Sequence, residues 1–155
     1  MTAARTIEFV DTTTRDGNQS LWSATGLTTP DVLAIAPVLD RVSYHALDFT
    51  SSTHMAVSVR FHQEDPWERM RLVSAAMPAT PLGIITTGMR FISWVPADEE
   101  VMRLSYRLGV RNGLRRVQIA DPSNHPERVQ RIAAMAKAEG VEEVVIGLTY
   151  SISEV

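Results

Sequence analysis

An arginine, a carboxylate and an amide lie close together in the segment Asp11–Ser20. The apolar run Ile7–Val10 just before it predicts a β-strand, so these polar side chains would follow the end of that strand. The carboxylate of Asp16 can ligate a hard divalent cation. The guanidinium of Arg15 can bind a carboxylate through its planar fork, and Gln19 can add a neutral hydrogen bond. An isolated pair of this kind would more often be a solvated arginine and an aspartate that caps backbone.

Four segments together resemble the pyruvate/oxaloacetate carboxyltransferase branch of the HMG-CoA lyase-like (DRE-TIM) metalloenzyme superfamily. Asp11–Ser20 is similar to the family's first-strand signature, and Glu64–Arg71 is similar to its segment EDPWERLR. Ala76–Leu82 is similar to AMPNTPL, and Gln118–Asn124 lies at the place of RIFDALN. Isopropylmalate synthases share the first signature, whereas the tryptophan segment is typical of the carboxyltransferase branch. The resemblance extends from about residue 9 to residue 150.

The resemblance implies roles for five residues. Asp16 would hold a divalent metal ion (zinc, manganese, cobalt or magnesium), while Arg15 and Gln19 would bind a small 2-keto acid and its enolate. Asp121 matches an aspartate of the family at a strand end, where barrel enzymes place catalytic residues. Capping of the next helix would explain Asp121 equally well. Thr149, at the end of the last predicted strand region, is a further substrate-binding candidate, although a core position would also suit it.

The family completes its metal site with two histidines spaced His-x-His and a carbamylated lysine. This sequence has a single lysine, Lys137, and none of its four histidines forms that motif. The resemblance therefore implies that the remaining metal ligands come from outside these 155 residues.

Two departures from the family pattern bear on the substrate. Thr87 stands where the branch has the arginine of LLRG, and Arg90 is a possible replacement. The loop predicted at Thr50–His54 differs from the family's Trp-Gly-Gly-Ala-Thr loop. His54 could act there as acid, base or ligand, but we favour a solvated surface histidine. The other histidines are expected to be structural: His45, His62 and His125.

Hydrophobic periodicity predicts strands that alternate with helices. The predicted strands are Ile7–Val10, Ala46–Phe49, Pro81–Thr86, Val117–Ile119 and Val144–Leu148. The predicted helices are Thr29–Val42, Trp67–Ala76, Pro96–Gly109 and Pro126–Glu139, with a further helical stretch before the turn Asp65–Pro66. Pro37 should kink or shorten the first helix, and Gly109 and Gly140 should end two others.

This alternation favours parallel βαβ units, and the resemblance implies a (β/α)8 TIM barrel. Five strands are present, whereas a closed barrel has eight strands and about 250 residues. We therefore expect residues 1–155 to form the N-terminal half of a carboxyltransferase-like barrel, an α/β fold that is incomplete on its own. More of the same protein, a second chain or a second copy would complete it.

Composition excludes several other classes. The formal charge is −3, and no basic stripe with interleaved aromatic residues predicts nucleic-acid binding. No apolar run is long enough to span a membrane, and Met1–Arg5 lacks the apolar core of a signal peptide. The absence of cysteine excludes disulfides and cysteine-ligated metals. We expect a cytoplasmic protein.

The sequence thus predicts metal-dependent carboxyltransferase or decarboxylase chemistry on a small 2-keto acid. In this branch biotin exchanges the carboxyl group, and no Ala-Met-Lys-Met motif occurs here, so a biotin carrier protein or domain would lie elsewhere. One alternative is an aldol-type lyase or synthase, similar to HMG-CoA lyase or isopropylmalate synthase, that acts on a different acid. Another is a non-catalytic subunit or degenerate half-barrel that pairs with a second chain.

Overall fold

Five parallel strands form one sheet within residues 6–150, the part of the chain that the computed structural model describes. The strands are β1 (Val10–Asp11), β2 (Ala46–Ser51), β3 (Leu82–Thr87), β4 (Leu114–Ala120) and β5 (Glu143–Gly147). Each strand pairs in parallel with the strand that precedes it along the chain. The first and last five residues, and with them both ends of the predicted domain, lie outside the described residues.

The connections between the strands are helical and form a single layer. The helices are α1 (Asn18–Trp22), α2 (Thr29–Asp40), α3 (Ser52–Val57), α4 (Pro66–Ala76), α5 (Glu99–Arg111) and α6 (Pro126–Ala138), with π-helical turns at Thr13–Gly17 and Ser58–His62. Helix α2 packs on α4, α4 on α5, and α5 on α6. Sequential parallel strands behind one layer of helices are the arrangement of a (β/α)8 barrel, so the predicted half-barrel is confirmed. None of the described helices is long and apolar enough to cross a membrane.

The core lies between the sheet and the helical layer. Alternate residues of a strand point to the same face, and those that face the helices are apolar and fully buried. They include Leu47, Ile84, Val117 and Ile119 from the strands, and Val32, Met70, Val73, Met102 and Ile132 from the helices. Burial of each such side chain stabilises the fold by about 1.5–3 kcal/mol relative to an exposed position.

The opposite face of the sheet, which would line a closed barrel, is much more polar. Its first row in register contains Asp48, Gly83, Arg116 and Glu143. Its second row contains Ser51, Ile85, Gln118 and Val145. Its last row contains Thr87, Ala120 and Gly147. Three ionisable side chains thus lie in one row across this face.

Gly109 does not end a helix, contrary to the sequence prediction. Helix α5 continues to Arg111, and the left-handed residue that ends it is Gly113, with φ of 105°. A Cβ on Gly109 would lie only 2.8 Å from Cδ2 of the fully buried Leu114. The glycine is therefore explained by the close approach of β4 to this helix rather than by a cap.

The first strand is displaced from its predicted position. The prediction was Ile7–Val10, but only Val10 belongs to β1, because Ile7 and Phe9 are exposed at the edge of the sheet. The carbonyl of Phe9 still accepts a hydrogen bond from the N–H of His45 at 2.8 Å. An edge strand has one neighbour, so its apolar residues are not all buried.

Two helix ends show where the predictions succeeded and failed. Helix α2 ends at Asp40 rather than at Val42, which is half exposed, and it continues for three residues beyond Pro37. Helix α6 ends at Ala138, and Gly140 follows with φ of 99°, as predicted.

Candidate active site

A tight turn after β1 carries Arg15, the arginine that we expect to bind substrate. The carboxylate of Asp11 closes this turn by accepting hydrogen bonds from the N–H and the hydroxyl of Thr13, both at 3.0 Å. Thr14 is fully buried and donates its hydroxyl to the carbonyl of Phe49 at 3.3 Å. These contacts fix the turn against β2, so the position of Arg15 is set by two neighbouring strands.

Arg15 is held between two carboxylates. Its Nε and Nη2 lie 2.8 and 2.5 Å from Oδ2 of Asp48, and its Nη1 lies 2.7 Å from Oδ1 of Asp16. The Asp48 side chain is 3% exposed, whereas that of Asp16 is 57% exposed. The structure thus brings the predicted residues Arg15 and Asp16 together, with one carboxylate buried behind the guanidinium and the other facing solvent.

Asp48 is a site residue that the sequence analysis missed, since it was assigned only to the predicted strand Ala46–Phe49. Burial raises the pKa of its carboxyl, while the hydrogen bonds and charge of Arg15 and the charge of Arg116 act in the opposite direction. The signal was present in the sequence: an acid within a buried parallel strand is rarely left without a partner.

His54 is buried, contrary to the expectation of a solvated surface residue. Strand β2 extends to Ser51, which caps α3 by accepting from the N–H of His54, so no loop separates the strand from the helix. The imidazole Nδ1 lies 2.8 Å from Ser51 Oγ, and Nε2 lies 3.4 Å from Nδ2 of the buried Asn18. Since an amide nitrogen can only donate, Nε2 accepts and Nδ1 carries the proton. His54 therefore supports the segment that contains Asp16.

Gln19 and Thr149 lie on exposed parts of the fold. Gln19 is in the first turn of α1, directly after the turn that carries Arg15. Thr149 follows β5, and its backbone is held by the side chain of Asn124, whose Oδ1 accepts from the Thr149 N–H at 2.9 Å. Both side chains are free to contact a ligand, and their assigned roles stay predictions.

Asp121 is buried at the end of β4 and is engaged within its own loop. Its Oδ1 accepts hydrogen bonds from the N–H and hydroxyl of Ser123 at 3.0 and 2.7 Å, and Oδ2 lies 2.8 Å from Nε of Arg128. Burial alone would raise its pKa, but these hydrogen bonds and the arginine charge outweigh burial and lower it. The predicted helix cap is wrong, because the N-cap of α6 is His125. Strands β2 and β3 separate β4 from β1, so Asp121 belongs to a second cluster with Asn124 and Thr149.

Arg90 does not occupy the place of the missing family arginine. Its Nε donates to the carbonyl of Trp94 at 2.7 Å, and its Nη1 donates to the carbonyl of Thr87 at 3.3 Å. The guanidinium is therefore turned back onto the loop that follows β3. The half-buried Thr87 side chain remains at the strand end.

Metal binding needs more ligands than this part of the chain supplies. No group of three or more histidine, aspartate or glutamate side chains that could hold a metal ion occurs within residues 6–150. Asp16 is a single exposed carboxylate that already pairs with Arg15. The described residues therefore do not fit a metal ion by themselves.

Comparison with known proteins identifies what this chain is similar to. No protein-family model matches the sequence. One of the pyruvate carboxylase subunits of Methanocaldococcus jannaschii is 30% identical over 149 residues, which are 96% of this chain and 26% of that protein. The 2-oxoglutarate carboxylase large subunit of Hydrogenobacter thermophilus is 27% identical over 136 residues, 88% of this chain and 21% of that protein.

A solved structure gives the same result. The carboxyl transferase domain of Rhizobium etli pyruvate carboxylase, determined with oxamate and biotin, matches with a TM-score of 0.85 and 26% identity. The match covers 96% of this chain and 25% of that chain. The chain thus spans about a quarter of the length of the relatives that it matches first. Its homologues are carboxylases of keto acids, and the region that it matches in the solved structure belongs to the carboxyl transferase domain.

Proposed function

We propose that residues 1–155 are the N-terminal half-barrel of a carboxyltransferase-type active site. The site would act on a small 2-keto acid, such as pyruvate or oxaloacetate, through an enolate. The observation that carries this proposal is the guanidinium of Arg15, fixed by the buried Asp48 at the carboxyl end of β1 beside the exposed Asp16. The similarity to pyruvate and 2-oxoglutarate carboxylases supports the class of reaction.

Arg15 would bind the substrate carboxylate and the enolate oxygen. An arginine has five N–H donors, and three of those of Arg15 point to Asp48 and Asp16. The remaining two, one on each Nη, are available to a substrate. Gln19 would add a neutral donor, and Thr149 would contact the substrate from the segment that follows β5. A guanidinium fixed in advance stabilises developing negative charge without having to reorganise.

Other groups would be needed to complete this site. Asp16 would provide one ligand of a divalent metal ion, with the other ligands supplied from outside the described residues. Biotin on another domain or subunit would supply or accept the carboxyl group, and we assign it no residue in this chain. Asp121 would act from the end of β4. Further strands, from the rest of the protein or from a partner chain, would close the barrel.

A second candidate is an aldol-type lyase or synthase that acts on a different acid. The observation that favours it is the end of β3, where Thr87 replaces the arginine of the carboxyltransferases and Arg90 is bound to its own loop. A third candidate, a non-catalytic subunit or degenerate half-barrel that pairs with a second chain, is favoured by the single lysine of the sequence and by its lack of a His-x-His motif. Product analysis with pyruvate, oxaloacetate and acyl-CoA donors distinguishes the three.

Arg15→Lys tests the main proposal. Lysine keeps the charge but lacks the planar fork, so we expect the rate of oxaloacetate decarboxylation to fall roughly a hundredfold or more. The measurement is a steady-state assay on the assembled protein purified from its source. Arg90→Lys is the matched control and should leave the rate unchanged. An unchanged rate in Arg15→Lys would exclude the proposed role of Arg15.

A further inference from the structure

A row of charged residues crosses the polar face of the sheet from β2 to β5. Asp48, Gly83, Arg116 and Glu143 are in register on four successive strands. Residues in register on neighbouring parallel strands point to the same face. Asp48, Arg116 and Glu143 therefore lie on the side of the sheet opposite the helices, with Gly83 between the first two.

The charges along this row alternate in sign. Nε of Arg116 lies 3.2 Å from Oε2 of Glu143, and Nε2 of His45 lies 2.9 Å from the same oxygen. At the other end, Asp48 is paired with Arg15. The order is thus Glu143, Arg116, Asp48, Arg15. Opposite charges that are neighbours in a partly buried row attract one another with little screening.

Gly83 leaves room for the charges on either side of it. Two strand spacings separate Asp48 from Arg116, which is about 10 Å between backbones, and the charge of Arg116 acts to lower the pKa of the Asp48 carboxyl. A Cβ on Gly83 would lie 3.6 Å from Cβ of Arg116, so a larger side chain would occupy the space between the two groups.

One carboxylate oxygen of Asp48 is buried without a hydrogen bond, and the positive charge of Arg116 can stabilise it. Its Oδ2 accepts both hydrogen bonds from Arg15, whereas its buried Oδ1 has no hydrogen-bond partner among the described residues. The side chain of Arg116 is 9% exposed, so its charge is also largely removed from water. A buried carboxylate held from one side only is costly, and a second nearby cation lowers that cost.

We propose that Arg116 is a positioning residue that stabilises the Asp48 carboxylate and thereby fixes the orientation of Arg15. This role rests on the proposed function only insofar as Arg15 binds the substrate. The alternative is that Arg116 only links β4 to β5 through its ion pair with Glu143. The two roles differ in whether a substitution at Arg116 changes the titration of Asp48.

Arg116→Met tests this role, with Arg115→Met as the matched control. Arg115 is the neighbouring residue, half exposed, and pairs with Glu142, so its loss removes an equal charge from the same strand. Both variants are compared with the native sequence, each in the assembled protein, by NMR with selective isotope labels, through the titration midpoint of the Asp48 carboxyl carbon and the hydrogen exchange of the Arg15 Nε–H. The groups that face Asp48 are Arg15 and Asp16 after β1 and Arg116 on β4, and those beyond Arg116 are Glu143 on β5 and His45 before β2.

We expect Arg116→Met to raise the Asp48 midpoint and to speed exchange at Arg15, while Arg115→Met changes neither. Arg116→Lys should hold the midpoint near the native value. Equal midpoints in the two methionine variants would overturn the proposal, and Arg116→Gln replaces Arg116→Met if that variant does not fold. Neither readout needs turnover, so failure of the proposed function would appear separately, as an unchanged rate in Arg15→Lys.

Discussion

The ion pairs of Arg15 fix the orientation of its guanidinium but add little to the attraction of an anionic substrate. Its pair with Asp48 is buried on the aspartate side, where removal from water offsets much of the attraction. The net charge of Arg15, Asp16 and Asp48 together is −1, so the cluster does not by itself attract an anion. A substrate carboxylate would be recognised through the two remaining N–H donors of Arg15 rather than through the net charge of the cluster. The value of Asp48 is that it holds the guanidinium in one orientation.

The buried His54 makes the stability of the fold depend on pH. Burial lowers its pKa to about 4, and the charges of Arg69 and Arg15 act in the same direction. The unfolded chain takes up a proton near pH 6.5 and the folded chain only near 4, so stability falls as the pH decreases through that window. We expect a loss of about 3 kcal/mol. Urea unfolding between pH 7 and pH 4 measures it.

His54→Gln should remove most of this pH dependence, because glutamine does not titrate. His45→Gln is the control, since His45 is more exposed than His54 and pairs with Glu143. If His54→Gln retains the native slope between pH 6.5 and pH 4, the slope has another origin.

The connections between elements depend on close backbone contacts at a few glycines. Gly113, between α5 and β4, has φ of 105°, and a Cβ there would overlap the side chain of Ser74. We expect Gly113→Ala to lower the free energy of unfolding by about 1–3 kcal/mol, through the strained backbone and the overlap with α4. Chemical denaturation measures the change.

Gly17→Ala is the control for this substitution. Gly17 has φ of −60°, and its nearest atom to a new Cβ would be the Thr12 carbonyl oxygen at 3.7 Å. This variant should unfold at a denaturant concentration close to that of the native chain. Equal stabilities of the two alanine variants would contradict the argument.

The elements were more predictable than their contacts. Periodicity located all five predicted strands to within a few residues, because the strands of a helix-covered parallel sheet are apolar runs. Gly109 was wrongly predicted to end a helix. A glycine is needed there because the side chain of Leu114, five residues away on the next strand, packs against it. Asp48 was missed, and His54 was wrongly expected at the surface, for the same kind of reason: their partners Arg15 and Asn18 are 33 and 36 residues distant. Local pattern does not reveal such pairs.

At the scale of the whole molecule, both edges of the described sheet expose apolar side chains. Beside β5, a groove of about 340 Å³ is lined by residues that include Val129, Ala133, Ile146 and Leu148, and Leu148 is 77% exposed. Beside β1, Ile7 and Phe9 are also exposed. Unpaired strand edges with apolar neighbours are sites of association.

We therefore expect the 155-residue polypeptide, expressed by itself, to self-associate at micromolar concentration. Leu148→Lys should reduce that association, because a charge at the groove disfavours apolar contact. Size-exclusion chromatography with light scattering measures the mass. Leu104→Lys, a change at an exposed leucine of α5, is the control and should have no effect. A monomer in every variant would show that these edges do not associate.

The sequential order of the strands also bears on how the chain folds as it is synthesised. Each strand pairs with the one made just before it, so no described strand has to wait for a distant partner. Contacts of short sequence separation favour fast folding, and amino-terminal parts of a protein can fold first during translation. The Arg15–Asp48 pair needs only the first two strands. Arg15 would therefore be oriented while much of the half-barrel is still to be made.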